Sequence, residues 1–266
     1  MTGTRAGTQE KAPVRAGLVQ LNVSDDPVRN LPATLDLVRK AAAGGADWVL
    51  TPEATNLLGA SRELQAQVLH VEAADPTLAA LRAEARAARI WLLIGSLSLK
   101  TGEPGEDRFA NRSFLIGPDG DIRARYDKLH MFDVTVSERE SYRESAAFRP
   151  GDRAVLAEGP LPVGMTVCYD LRFPYLYRAL AKAGAEVLTV PAAFNDTTGA
   201  AHWEVLLRAR AIETGCYVLA PAQCGLHATH FDPGRQPRRS HGHSLAVDPW
   251  GRVLGDGGTG PGVTFV

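Results

Sequence analysis

Apolar positions recur along the chain in two rhythms, one near two residues and one near three to four. Val14–Leu21 alternates on the short period and predicts a strand. Asp25-Asp26-Pro27 then supplies a helix start, and Leu31, Leu35 and Val38 share one face until Gly44-Gly45 stops the helix. Asp47–Thr51 predicts a second strand, closed by Pro52-Glu53. Glu63–Val71 and Thr77–Ala88 read as helices, the second opened by Asp75-Pro76, and Ile90–Leu99 as a strand. Asn111–Ile116 and Asp121–Tyr126 bracket Gly117-Pro118-Asp119-Gly120, a hairpin turn. Residues 127–152 hold no period and read as a long loop, which in a compact domain is usually functional.

The alternation then resumes. An apolar, β-rich run from Val163 ends at Cys168; Tyr169-Asp170 is turn-prone, and Pro174 opens a helix to Ala183, before Gly184. Glu186–Val190 is a predicted strand, His202–Thr214 a helix stopped by Gly215, and Cys216–Pro221 a strand. After a His-, Arg-, Pro- and Gly-rich loop over 222–242, Ser244–Val247 and a return strand from Arg252 to Leu254 flank the turn Asp248-Pro249-Trp250-Gly251. Strands alternating with helices on both sides of a hairpin predict an α/β protein whose sheets are covered by helices. The halves share an element order but no sequence repeat.

Composition narrows the field without changing this picture. The chain has 266 residues, 45% hydrophobic and 22% charged, enough to bury a large core. A net charge of −1 gives no reason to expect a nucleic-acid or membrane-surface partner, and no apolar run is long enough to span a bilayer. Residues 1–12, Thr- and Gly-rich without an apolar core, are expected to be a disordered leader, and 13–266 a single domain. Three cysteines, Cys168, Cys216 and Cys224, are few and odd in number, which argues against a disulfide framework, so a reducing cytoplasm is expected.

Cys168 stands where a strand turns into a helix. A thiol there can be rigid, reachable and close to unpaired backbone N–H groups, as a nucleophile requires. A core thiol is the plainer alternative. Glu53 closes a strand, where α/β sheets place their sites, yet a single Glu is most often a solvated charge. Lys128 in Tyr126-Asp127-Lys128-Leu129-His130, and Glu144 in the long loop, read singly as surface charges. His227, His230, His241 and His243 gather near Cys224, but without a recognised metal-ligand spacing. Arg235, Arg238 and Arg239 read as a solvated basic run. Trp203, Leu206, Leu207 and Ile212 read as core or interface, and Cys216 as core.

Together, and in this order, Pro52-Glu53, Tyr126-Asp127-Lys128-Leu129-His130 and Val167-Cys168-Tyr169-Asp170-Leu171-Arg172-Phe173-Pro174 resemble the nitrilase, or carbon–nitrogen hydrolase, superfamily, which uses a Glu–Lys–Cys triad. Arg143-Glu144-Ser145, Pro191–Asn195, His202–Glu213 and Gly242–Val247 before Asp248–Gly251 extend the likeness from about Val14 to about Trp250. It is nearest to the Nit branch. The resemblance implies a four-layer αββα sandwich. It makes Glu53 the general base, Lys128 the oxyanion stabiliser, Cys168 the nucleophile and Glu144 a supporting carboxylate. It also makes the Tyr169 N–H a second oxyanion donor, Arg172 the holder of a substrate carboxylate, and Phe194 and Thr198 pocket residues.

The implied activity is hydrolysis of a small carboxylated amide through a thioester, without cofactor or metal. Deaminated glutathione is the first substrate choice and an α-keto ω-amide such as α-ketoglutaramate the alternative. Nitrile hydrolysis and a non-catalytic binding role are the remaining readings; the complete Glu53, Lys128, Glu144 and Cys168 set opposes the second. Family members usually run on past the last sheet strand, whereas this sequence closes on Gly262–Val266. A homodimer is still expected, through helices Pro174–Ala183 and His202–Thr214.

Overall fold

The computed structural model describes residues 13–137 and 140–266, so the expected leader at 1–12 lies outside the described residues. The first half runs β1 (Ala16–Gln20), α1 (Pro27–Ala43), β2 (Trp48–Leu50), α2 (Arg62–Val68), α3 (Pro76–Ala88), β3 (Trp91–Lys100), β4 (Phe109–Ile116) and β5 (Ile122–Asp127). The middle contributes β6 (Asp133–Ser137), β7 (Glu140–Arg143), β8 (Phe148–Arg149) and β9 (Val155–Glu158). The second half holds β10 (Pro162–Met165), α4 (Pro174–Lys182), β11 (Val187–Thr189), α5 (Asp196–Thr214), β12 (Tyr217–Ala220), β13 (Cys224–Leu226), β14 (Arg239–His241), β15 (Leu245–Val247), β16 (Val253–Asp256) and β17 (Gly262–Phe265).

These strands form two principal sheets. One has the order β17-β1-β2-β3-β4-β5, with β8 beside β4; the other is β9-β10-β11-β12-β15-β16. In each, three parallel strands are flanked by one antiparallel strand on one side and two on the other. The similar element order of the two halves is thus a repeated topology.

The layers follow from the alternation of side chains along the first sheet. Leu18, Leu50, Leu93 and Leu115 join Val163, Met165 and Leu188 of the second sheet in one core cluster. Their chain neighbours Val19, Val49, Leu92 and Phe114 face the other way, onto Val38 and Ala41 of α1 and Leu78, Leu81 and Ala85 of α3. On the far side of the second sheet, Leu176, Tyr177 and Leu180 of α4 and Trp203, Leu207 and Ala211 of α5 are buried. The order is helices, sheet, sheet, helices, as expected.

Capping sets the helix starts. Asp26 accepts from Val28 and Arg29 N–H to open α1, and Asp75 from Leu78 N–H to open α3. The helix predicted from His202 begins at Asp196, because Asn195 Oδ1 accepts from Thr198 N–H. The expected loop over 127–152 is corrected. It contains the β6–β7 hairpin, a 3-10 turn at Glu144–Ala146 and β8. Among the described residues the two hairpin strands pair only with each other, so no sheet-wide apolar face imposes a period on them. The loop over 222–242 likewise contains the β13–β14 hairpin. The closing residues form β17, which pairs antiparallel with β1.

Candidate active site

The site gathers where strands end. Glu53 follows β2, Cys168 follows β10, Ala193 follows β11 and Gln223 follows β12, all beyond the carboxyl ends of parallel strands. Lys128 directly follows β5, and Glu144 opens the 3-10 turn after β7. Gly95 permits the close fit: a Cβ there would run into Thr51 O and Pro191 Cβ, on the segments that lead to Glu53 and Ala193.

Strand β10 stops at Met165, earlier than expected, and Cys168 begins a 3-10 turn to Arg172. Cys168 has a φ of 49°, in the left-handed region that a β-carbon disfavours, and Ala54, next to Glu53, has 56°. Two strained residues flanking one cluster point to a geometry held for a purpose. Cys168 N–H is occupied by Pro191 O at 3.0 Å, whereas no acceptor among the described residues takes Tyr169 N–H.

The polar groups form a closed network. Lys128, only 2% exposed, donates to Glu53 Oε1 at 2.9 Å and to Glu144 Oε1 and Oε2 at 2.9 and 2.8 Å. Asn111 Nδ2 donates to Glu53 Oε1 at 2.9 Å and to Glu144 Oε1 at 3.3 Å. Ala193 N–H donates to Glu53 Oε2, Phe132 N–H to Glu144 Oε2, and Gln223 Nε2 to the Glu53 carbonyl. The Cys168 thiol, buried beside them, is close enough to feel the charges of both Glu53 and Lys128.

Burial pushes the Glu53 carboxyl upward, but Lys128⁺, the thiol and Ala193 N–H outweigh it and hold the group well below the usual carboxylate range. Burial and the Glu53 charge push the Cys168 thiol up, with Lys128 opposing. The Lys128 ammonium loses by burial and gains more from Glu144 and Glu53, so it stays charged. The resting site therefore holds a neutral thiol, the Glu53 carboxylate and the Lys128 ammonium, with Glu144 bound to that ammonium.

Around Cys168 stands an aromatic wall. Tyr169 meets Phe132 and Phe173 with ring centres 5.0 and 5.4 Å apart, and Phe132 meets Tyr142 at 5.0 Å. Arg172 lies over Tyr169 and Phe194, 5.9 and 5.5 Å from the ring centres, and Phe194 packs on Trp203. Thr198 sits in the first turn of α5, bound to Asn195, whose Nδ2 donates to Tyr142 Oη. All eight residues singled out from the sequence thus lie in or around one region.

Sequence reasoning missed three others. Asn111 bridges both carboxylates from β4. Asp170, fully buried, accepts from Tyr126 Oη and Val167 N–H, and from His130 N–H and Nδ1, at 2.7–3.0 Å. Arg238 corrects the reading of a solvated basic run. It is half-buried, with Nη2 bound to the Ala193 carbonyl and the guanidinium 5.8 Å from the Tyr142 ring centre. A polar residue in a buried strand position was the only sign of Asn111; nothing local marked Arg238.

The loop histidines have other partners. His227 is buried between Val23 O and Ser240 Oγ, and burial pushes its pKa down to about 4. His243 pairs with Asp256, and His241 lies 3.6 Å from Asp196. Among the described residues no group of three or more His, Cys, Asp or Glu is arranged to hold a metal, and no helix is long and apolar enough to cross a membrane.

Comparison with known proteins adds a second line of observation. Residues 15–266 match the carbon–nitrogen hydrolase family. A deaminated glutathione amidase of Yersinia enterocolitica is 41% identical over 240 residues, covering 90% of this chain and 80% of that protein. The NitFhit protein of C. elegans superposes with a TM-score of 0.85 at 33% identity, over 95% of this chain and 60% of the longer one. A variant of the amidase from Nesterenkonia sp. AN1, at TM-score 0.79 and 29% identity over 98% of this chain and 92% of that one, carries the acetamide moiety of fluoroacetamide covalently on its active-site cysteine.

Proposed function

The chain belongs to the carbon–nitrogen hydrolase family and hydrolyses an amide, and from that premise we propose that Cys168, Glu53 and Lys128 carry the reaction on deaminated glutathione. One observation carries the assignment: a buried thiol sits at the strand ends within the influence of a buried carboxylate and of the ammonium bound to that same carboxylate.

As Cys168 Sγ attacks the amide carbon, its proton passes to Glu53. The negative charge moves to the amide oxygen, where Lys128 Nζ and Tyr169 N–H receive it; one such donor is worth about 3–4 kcal/mol. Glu144 grips Lys128 through both oxygens, so it can cede one N–H to the oxyanion and keep the other. Glu53 returns the proton to the amine nitrogen as the C–N bond breaks, leaving a thioester. Water then gives its proton to Glu53 and its oxygen to the thioester carbon, and the departing sulfur takes the proton back. Because the resting thiol is neutral, attack and proton transfer proceed together, once a carbonyl is in place to accept the charge.

Arg172, stacked on Tyr169 and Phe194, would hold the α-keto carboxylate, with Phe194 and Thr198 lining the pocket. That end is common to deaminated glutathione and to α-ketoglutaramate, the alternative substrate. They differ in what leaves, cysteinylglycine or ammonia. Turnover of the two, followed by product mass, tests the choice. Faster cleavage of deaminated glutathione is expected; equal or faster ammonia release from α-ketoglutaramate would overturn it.

We read residues 13–266 as one catalytic domain, supported by the core that both sheets share. A homodimer fits the exposed Tyr175 of α4 and Val205 and Ile212 of α5, and a cytoplasmic setting fits three free, buried cysteines. A sedimentation mass of one chain at micromolar concentration would exclude the dimer.

A further inference from the structure

Arg238 has no part in the chemistry above, yet it reaches the site. Its Nη2 binds the carbonyl of Ala193, the residue whose N–H binds Glu53 Oε2 at 2.8 Å. A single residue therefore links this guanidinium to the base. Arg238 Nε is buried and has no partner among the described residues. The partners of Arg238 there are a carbonyl and the Tyr142 ring, neither of which carries negative charge. Arg172 is similar, with His202 Nδ1 and two aromatic rings as its partners. Two guanidinium groups thus border one site, and neither has a carboxylate partner among the described residues. A half-buried cation without a counter-charge is costly unless a ligand supplies one.

Their contacts within the site differ. Arg172 lies on Tyr169, beside the oxyanion donor. Arg238 lies on the Glu53 side, through Ala193. Glu53 must reach the leaving nitrogen to protonate it, so whatever is attached to that nitrogen extends toward Glu53 and Arg238. The charge of Arg238 also acts on Cys168, lowering the thiol pKa against the larger effect of burial.

We propose that Arg238 is a second carboxylate-binding residue, on the amine side of the scissile bond, and selects amides whose leaving amine ends in a carboxylate. The proposal rests on the amidase reading above and sharpens it. Cysteinylglycine has such a carboxylate; ammonia does not.

The test uses the full chain and two substrates with the same α-keto acyl group and the same peptide amine, one ending in a free carboxylate and the other in a neutral carboxamide. Wild type is expected to favour the carboxylate by about 10- to 100-fold in kcat/KM, the worth of a charge-assisted hydrogen bond. In Arg238→Ala the ratio should fall toward one, and in Arg238→Lys, which keeps the charge but not the fork, to an intermediate value. A wild-type ratio near one overturns the proposal. So does an equal loss on both substrates in Arg238→Ala, which would mean that the residue merely tethers Ala193. If the alanine variant does not fold, the wild-type and lysine ratios decide. Failure of wild type to cleave either substrate overturns the amidase reading itself, and this proposal with it.

Discussion

Replacing Asp170 with asparagine tests how the nucleophile and the ammonium are held together. Asp170 sits on the Cys168 turn and reaches back to Val167 N–H, to Tyr126 Oη on β5, and to His130, two residues past Lys128. It therefore ties the Cys168 turn to the Lys128 segment. Asparagine keeps the shape but turns one acceptor oxygen into a donor. If the NH2 faces Tyr126 and Val167, the tyrosine hydroxyl can rotate to accept, and Val167 N–H is orphaned. If it faces His130, the imidazole can shift its proton to Nε2, and His130 N–H is orphaned. Either arrangement leaves one N–H unsatisfied and weakens the remaining bonds, for a cost of about 2–4 kcal/mol. In a chain of this size that lowers Tm by about 4–16 °C. A slip of about 1 Å between sulfur and ammonium costs about 100-fold in rate. Calorimetry and kcat on the purified variant give both numbers, with Tyr126→Phe as the milder control that removes one donor. An Asp170→Asn protein that melts and turns over like wild type would refute the reasoning.

Other consequences follow from the same network. Glu53→Gln removes the group proposed to shuttle the proton and should lower kcat by about 10²–10⁴-fold, read in steady-state assays. Lys128→Met leaves Glu53 and Glu144 buried without their cation, so it should destabilise by about 3–5 kcal/mol in denaturant melts as well as abolish turnover; a variant as stable as wild type contradicts the ion-pair reading. With Glu53 held at about 2 in the fold, its stabilising share is complete above the unfolded value of about 4.3 and is lost as pH falls toward 2. The wild-type advantage in stability over Glu53→Gln should shrink over that interval, by acid-unfolding titration. The raised Cys168 thiol should make alkylation by iodoacetamide slow at neutral pH and still rising beyond about pH 8.5, the value of an ordinary thiol; a rate already at its plateau at neutral pH argues for a resting thiolate.

Much of this was legible because the signals were local. Glu53 after β2 and Cys168 before Pro174 stand at strand ends that the apolar pattern marks directly, and the caps Asp26 and Asp75 announce their helices. What escaped depends on partners far along the chain. Asn111 matters because Glu53 and Glu144 meet on it, 58 and 33 residues away. Arg238 looked like one of three loop arginines until the fold set it on Ala193 and Tyr142. The β6–β7 hairpin carries Glu144 to Lys128, but its strands form a separate two-stranded sheet and leave no apolar period to detect. The early end of β10 also has a long-range cause: Pro191, just past the neighbouring strand β11, has no N–H with which to extend the ladder.

The central claim is that the amide's acyl group passes through the sulfur of Cys168. Acid-quenching the enzyme during turnover of deaminated glutathione, then weighing its peptides, tests this directly. The account predicts the mass of the α-keto acyl half on the Cys168 peptide, and neither adduct nor turnover in Cys168→Ala. An acyl group on Cys216 or Cys224, or a Cys168→Ala enzyme that forms product at the wild-type rate, would contradict it.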